Sequence, residues 1–63
     1  MTFIVYPDSA GEYRWQLRAS NGEPMGDSGE GYVSERDCMD AIETILNEAA
    51  AGRIGVTRGP APV

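Results

Sequence analysis

The segment at residues 11–34, GEYRWQLRASNGEPMGDSGEGYVS, restricts the fold more than any other part of the chain. Residues 12–20 alternate strictly between polar and apolar side chains, which is the period of a β-strand with one buried and one solvated face. An Asn-Gly pair follows at positions 21 and 22, and this pair tolerates the positive φ angles of a type I′ turn. We therefore predict a β-hairpin, with residues 23–28 as its second strand.

The alternation also assigns the side chains of residues 12–20 to two faces. The apolar face carries Tyr13, Trp15, Leu17 and Ala19, and the polar face carries Glu12, Arg14, Gln16 and Arg18. We predict Trp15 and Leu17 as core residues. In the second hairpin strand, Pro24 cannot donate to a ladder and Gly26 has no side chain to pack. That strand is therefore predicted to lie at a sheet edge or to contain a bulge.

Three further elements complete the predicted domain. Residues 2–6, TFIVY, are β-branched or aromatic and indicate a first strand, whereas residues 53–58, RIGVTR, alternate again and indicate a last one. Between them, residues 35–51 have the spacing of an amphipathic helix, with Ser34 as the N-cap and Gly52 as the C-cap. The predicted buried stripe of this helix comprises Cys38, Ala41, Ile42, Ile45, Leu46 and Ala49.

The order β-β-β-α-β predicts an α+β fold with one antiparallel sheet and one helix packed on it. We expect a single domain over residues 1–58 and a disordered tail over residues 59–63. The helix is predicted to cover the sheet face that carries Phe3 or Ile4, Trp15, Leu17, Ile54 and Val56.

The last strand and the size of the chain both indicate a homodimer. A chain of 63 residues has a marginal core, and its single cysteine and lack of histidine exclude an intrachain disulfide and the usual Cys/His zinc site. The last strand offers only Ile54 and Val56 and has no obvious place beside its own hairpin. We predict that it pairs with a second copy, which places Ile54 and Val56 at the dimer interface.

The net charge of −5 disfavours nucleic acids and anionic membranes as partners, because both are bound through excess Lys and Arg. No apolar stretch approaches the length of a membrane span. A free thiol without an export signal leads us to expect a cytoplasmic protein. The sequence identifies neither a small-molecule partner nor a protein partner other than a second copy.

The opening segment also resembles the YegP-like family of small, functionally uncharacterised proteins. The resemblance rests on Phe3, Tyr6, Asp8, Gly11, Tyr13-Arg14-Trp15, Leu17, Ala19, Asn21-Gly22, Ser28, Glu30-Gly31-Tyr32 and Ser34, and more loosely on Ile42, Ile45 and Ala49. It implies a β3-α-β unit, two of which form one sheet and exchange their C-terminal strands. Pro24 and Gly26 depart from the apolar residues usual in the third strand. The resemblance implies no enzymatic activity and no catalytic residues.

Candidate chemistry outside the hairpin is sparse, and we predict no catalytic residue, cofactor or metal site. Cys38 lies on the apolar stripe of the helix and is predicted to be structural. The hydroxyls of Ser28, Tyr32 and Ser34 lack the histidine or lysine that would activate a nucleophile. The acidic cluster of Asp27, Glu30, Glu35 and Asp37 does not match a calcium loop and suits helix capping and solubility better.

The polar face of the hairpin is the one candidate binding surface. Arg14, Gln16 and Arg18 project from one side of a strand, and two guanidinium groups can hold a carboxylate or phosphate. An anion- or nucleic-acid-binding module is therefore the alternative to a structural or interaction module. The simpler reading is a solvated face on which the arginines pair with Glu23, Asp27 or other neighbouring strand residues.

Overall fold

The computed structural model describes residues 1–61 and contains three strands and one helix. In chain order these are β1 at Thr2–Pro7, β2 at Tyr13–Arg18, β3 at Pro24–Asp27 and α1 at Glu35–Ala50. The strands form one antiparallel sheet in the order β1-β2-β3. The predicted α+β class, the antiparallel sheet and the single helix are thus confirmed.

The register between β1 and β2 decides which side chains face the helix. Phe3 lies opposite Leu17 and Val5 lies opposite Trp15, so these four side chains share one face. The Phe3 and Trp15 rings meet edge to face, with their centroids 5.1 Å apart. Such aromatic pairs add about 0.5–1.5 kcal/mol beyond the area they bury. Of the two residues proposed for this face, Phe3 is therefore the correct one, because Ile4 points to the other face and is 40% exposed.

The hairpin between β2 and β3 forms with a longer loop than the Asn-Gly pair predicts. The Ala19 amide donates to the Glu23 carbonyl, and the Gly22 amide donates to the Ala19 carbonyl. Among residues 1–61 only glycines have a positive φ, so Asn21 stays in the ordinary region while Gly22 has a φ of 88°. This is a three-residue loop in which a β-turn is followed by one left-handed glycine. The predicted type I′ turn is wrong, because one extra loop residue removes the need for a positive φ at Asn21.

Strand β3 is short, exposed and irregular, as Pro24 and Gly26 predict. Its register against β2 shifts between Leu17 and Arg18, which marks a bulge. The connection to the helix then runs along the same edge of β2, where Tyr13 and Tyr32 exchange both backbone hydrogen bonds at 2.8 and 2.7 Å. In this connection Gly31 lies against the Glu12 side chain, because a Cβ atom at position 31 would lie 2.9 Å from the Cβ atom of Glu12.

Helix α1 packs on β1 and β2 and leaves β3 uncovered. Cys38 and Ile42 are its buried residues, and Ala41 and Ile45 are half-buried. The predicted buried stripe does not continue past Ile45. Leu46 is 53% exposed and Ala49 is also exposed, so the prediction is wrong for these two residues. Three strands provide no surface that covers the last turns of the helix. Within residues 1–61, Cys38 and Ile42 are the only buried apolar residues, and of these Cys38 is fully buried.

The predicted N-cap of α1 is confirmed, whereas the C-cap lies one residue before the predicted Gly52. The Ser34 hydroxyl accepts a hydrogen bond from the Asp37 amide at 3.1 Å. At the other end Ala51 is the cap residue and Gly52, with a φ of 70°, is the first residue beyond it. The Gly52 amide donates to the Ala49 carbonyl and the Arg53 amide donates to the Glu48 carbonyl, which is a Schellman motif.

The predicted fourth strand is absent from this single chain. Residues 53–61 belong to no helix or strand and are exposed, so Ile54 and Val56 do not lie on the sheet face covered by α1. A strand needs a neighbour for its ladder, and this chain places none beside the segment. Of the tail predicted at residues 59–63, positions 62 and 63 lie outside the described residues. Pairing of residues 53–58 with a second copy stays a prediction.

Replacing Ser34 with alanine tests the N-cap. The change removes the acceptor for the Asp37 amide and is expected to cost about 1 kcal/mol of unfolding free energy. For a domain of this size that lowers the melting temperature by roughly 4–8 °C. Asparagine at the same position keeps an acceptor oxygen and should stay within a few tenths of a kcal/mol of the parent. Equal losses in Ser34→Ala and Ser34→Asn, measured by circular dichroism at one protein concentration, would contradict the capping role.

Candidate functional site

The sheet face opposite α1 has no element packed on it and is called the open face here. Register places Thr2, Ile4 and Tyr6 of β1 beside Arg18, Gln16 and Arg14 of β2, respectively. Asp27 of β3 lies opposite Gln16. The three predicted binding residues therefore lie on one surface, as their alternation indicates. Tyr6 and Ile4 are 37% and 40% exposed there, so the open face combines arginines with apolar side chains.

Asp8 organises one end of the open face. One of its carboxylate oxygens accepts hydrogen bonds from the Ala10 and Glu12 amides at 2.8 and 3.0 Å, and the other accepts from Arg14 Nε at 2.8 Å. The Asp8 side chain is 13% exposed, which is low for a surface carboxylate. The hydrogen bond from Arg14, followed by that from the Glu12 amide, lowers the pKa of Asp8 below its ordinary value. The same residue thus closes the β1–β2 turn and holds one arginine.

Arg18 is also held by groups of its own chain. Its Nε donates to Gln16 Oε1 at 2.8 Å, and its NH1 donates to the Gly22 carbonyl at 2.9 Å. Arg14 and Arg18 therefore each use part of their donor set inside the hairpin. This agrees with the predicted alternative of a solvated face, although the carboxylate that pairs with Arg14 is Asp8 rather than Glu23 or Asp27.

Asp8 is the residue that the sequence reasoning missed. The antiparallel register of β1 and β2 indicates the proximity of Asp8 and Arg14, because residues whose numbers sum to 20 lie opposite each other. That register places Tyr6 opposite Arg14 and places Asp8 one step along the same face. Treating residues 7–11 only as a turn concealed this diagonal neighbour.

A second group of polar side chains, Cys38, Tyr32 and Trp15, is buried or half-buried. Cys38 is fully buried, and burial raises the pKa of its thiol, so the reactive thiolate is disfavoured at neutral pH. Partial burial likewise raises the pKa of Tyr32. The Trp15 indole nitrogen is buried near the Tyr32 hydroxyl, with which it makes no well-aligned hydrogen bond. This arrangement is that of a packed core.

Other kinds of site have little support in residues 1–61. No group of three or more His, Cys, Asp or Glu side chains in this range is placed to hold a metal ion, and no concave pocket is found there. In the predicted acidic cluster, Asp27 accepts a hydrogen bond from the Gly29 amide at 2.9 Å, and Glu35 and Asp37 lie in the first turn of α1.

Within the same range, no helix combines the length and the apolar character needed to cross a membrane.

The residues predicted for a dimer interface are exposed apolar side chains in the described part of the C-terminal segment. Ile54 is 55% exposed and Val56 is completely exposed. Arg53, just before them, is anchored to the helix by an ion pair with Glu48. The segment therefore leaves the helix end with its apolar side chains uncovered.

These features define a small α+β protein with a three-stranded antiparallel sheet, one helix and an open sheet face. A family profile described as "Domain of unknown function (DUF1508)" matches residues 8–54. The chain belongs to this family, and the resemblance to the YegP-like proteins is confirmed because they are the same group. The family description assigns no reaction to its members.

Relatives and one solved structure support this assignment over most of the chain. A UPF0339 protein from Neisseria meningitidis is 43% identical over 51 residues, which cover 81% of this chain and 89% of the relative. A UPF0339 protein from Stutzerimonas stutzeri is 40% identical over 48 residues, which cover 76% of this chain but 42% of the relative. A solution NMR structure of a Haloferax volcanii protein, 36% identical, superposes with a TM-score of 0.77 over 92% of this chain and 93% of that one.

Acid titration of the Asp8→Asn variant tests the role of Asp8. A carboxylate whose pKa is lower in the folded state stabilises the fold above its unfolded pKa and loses that contribution as the pH falls through its folded value. We therefore expect Asp8→Asn to be less stable than the parent near pH 7 and the difference to shrink below about pH 4. Urea unfolding of both proteins at a series of pH values measures this difference in stability.

Glu43→Gln is the matched control for this titration, because Glu43 lies on the exposed side of α1 and makes no ion pair among the described residues. Its effect on stability should be small at every pH. If the difference in unfolding free energy between the parent and Asp8→Asn stays constant from pH 7 to pH 2, the charge of Asp8 is not what stabilises the turn.

Proposed function

We propose that this chain acts as a homodimeric, non-catalytic interaction module in which residues 53–58 of each copy complete the sheet of the other. The observation that carries this proposal is the large uncovered surface of a single chain. The alternation of Ile54 and Val56, separated by one residue, suits a strand with one buried face. The proposal concerns how the protein assembles and presents its sheet, and it assigns no reaction.

The accessible surface of one chain is too large for a compact monomer. It amounts to 5064 Å². The size scaling of folded monomers gives roughly 4,000 Å² for a 6.8 kDa chain, so the excess is on the order of 1,000 Å². A stable protein–protein interface of standard size removes about 800 Å² from each partner. Burying this excess area against a second copy would bring the accessible surface of the chain close to that expected for a compact protein of its size.

The shape of the chain supports the same interpretation. Its radius of gyration is 12.9 Å, against roughly 10.6 Å for a compact domain of this length. Only Cys38 and Ile42 are buried among the described residues, while Leu46, Ile54 and Val56 are more than half exposed. A core of two residues leaves little hydrophobic free energy to offset the conformational entropy lost on folding. Burial against a second copy would supply what one chain lacks.

The longer relative adds an independent argument. The 48 aligned residues make up less than half of the Stutzerimonas stutzeri protein, so its unmatched part is longer than the matched one. That part has room for a second unit of this size. Two units within one chain would satisfy the same need for a partner sheet that two separate copies satisfy here.

Anion or nucleic-acid binding through Arg14, Gln16 and Arg18 is less favoured. Both arginines already donate to groups of the hairpin, and a ligand would compete with Asp8 for Arg14. The chain also carries ten acidic residues against five basic ones, which opposes accumulation of polyanions. The open face can present these side chains to a partner, but no feature of the geometry selects an anion.

Sedimentation analysis of the Val56→Asp variant tests the proposed dimer. The parent is expected to sediment as a dimer at micromolar concentration. In a lone chain Val56 is fully exposed, so aspartate there would change nothing. In the proposed dimer the carboxylate would be buried without a partner, and we expect the dissociation constant to rise at least about 100-fold, since each 1.4 kcal/mol is a factor of ten.

Thr57→Asp is the matched control, because alternation places Thr57 on the opposite side of the same segment. It adds the same charge and should leave the dimer largely intact. A parent that sediments as a monomer, or a Val56→Asp variant that dimerises as tightly as Thr57→Asp, would refute the proposal.

A further inference from the structure

The loop between β2 and β3 contains an asparagine followed by a glycine, and both residues are exposed. The amide carbon of an asparagine side chain can be attacked by the backbone nitrogen of the next residue, which makes asparagine a labile residue. A side chain on that next residue hinders the approach, and Gly22 has none. The second asparagine of the chain, Asn47, lies within α1 and precedes Glu48, so it has neither the loop nor the glycine.

The loop holds the side-chain carbonyl of Asn21 in an arrangement that favours this attack. Its Oδ1 atom accepts a hydrogen bond from the Glu23 amide at 3.1 Å. Attack on the amide carbon places negative charge on that oxygen, and a backbone N–H group already directed at it stabilises such charge. The same contact keeps the side-chain amide close to the main chain that would attack it.

The attacking nitrogen is engaged in a hydrogen bond, so the reaction requires a local opening of the loop. The Gly22 amide donates to the Ala19 carbonyl at 2.9 Å and must leave this bond and lose its proton. Residues 20–23 are all exposed, and openings of exposed loops cost little free energy. Arg18 NH1 donates to the Gly22 carbonyl at 2.9 Å, which places a positive charge near the nitrogen as it becomes an anion.

We propose that Asn21 is a site of spontaneous deamidation, in which the Gly22 nitrogen attacks the Asn21 amide carbon and the side-chain nitrogen leaves as ammonia. The new bond closes a succinimide ring, and the proton lost by the Gly22 nitrogen ends on the ammonia. One water molecule then opens the ring to a carboxylate. Opening at the side-chain carbonyl gives aspartate, and opening at the main-chain carbonyl gives isoaspartate. The reaction needs one chain only and is independent of the proposed homodimer.

The two products have different effects on the hairpin. Aspartate at position 21 keeps an oxygen that can accept from the Glu23 amide, and it adds a negative charge close to Arg18. Isoaspartate inserts one extra main-chain atom into a loop that is closed by the hydrogen bond from the Ala19 amide to the Glu23 carbonyl. We expect the first product to preserve the hairpin and the second to break this closing bond.

Peptide mapping of the intact protein after incubation in mildly alkaline buffer tests the site. Cleavage after arginine separates the two asparagines, because Asn21 lies in the peptide of residues 19–36 and Asn47 in that of residues 37–53. We expect the mass gain of an amide converted to an acid in the first peptide and not in the second, with isoaspartate among the products. An amide that persists at Asn21 as long as at Asn47 overturns the proposal. An aspartate-only product also overturns it, because direct hydrolysis gives no isoaspartate.

The Gly22→Ala variant tests whether the Gly22 nitrogen is the nucleophile. An alanine methyl crowds this nitrogen, and we expect isoaspartate to form several-fold more slowly than in the parent. Gly26→Ala is the matched control, since a Cβ atom at either glycine has open space around it and Gly26 lies away from the reacting atoms in β3. It should leave the rate at Asn21 unchanged.

The comparison of the parent with Gly22→Ala is repeated in urea, because the φ of 88° at Gly22 disfavours alanine and the variant could be less well folded. Unfolding both chains removes this difference, and the parent is still expected to form isoaspartate faster. Equal rates in urea would overturn the assignment of the Gly22 nitrogen as the nucleophile.

Discussion

The scarcity of core is the constraint on which the rest of this structure depends. One helix over two strands buries Cys38 and Ile42 and only half-buries the side chains around them. Local interactions therefore carry much of the order: Asp8 closes one turn, Gly22 closes the next, and Ser34 starts the helix. Each of these local interactions contributes about 1 kcal/mol to stability in typical proteins. Any surface that buries more of the exposed apolar side chains would therefore stabilise the chain further.

The sequence predicts the elements well wherever a local geometric demand selects a residue type. Strict alternation identifies β2 and its two faces, and serine and glycine mark the two ends of α1. Pro24 and Gly26 correctly predict a short, irregular β3. The turn type does not follow from the Asn-Gly pair alone, because this pair suits a two-residue loop and also the end of the three-residue loop observed. Only the register across the strands separates these two arrangements.

The errors on the helix and the open face have a common origin in long-range geometry. A helical period predicts which residues could be buried, but the extent of the sheet decides how many of them are, and here it leaves Leu46 and Ala49 exposed. The partner of Arg14 likewise depends on the register that brings Asp8 alongside it. Neither fact is contained in the spacing along one element.

The reversal at Gly52 has a kinetic consequence. A left-handed residue ends the helix and directs residues 53–58 away from the chain's own sheet. The hairpin and the helix join residues close in sequence and can form quickly within one molecule. Placement of the last segment in the proposed dimer is instead a bimolecular step, whose rate falls in proportion to dilution. A chain of this architecture would then fold in two stages, an internal one set by local geometry and a slower one set by how often two molecules meet.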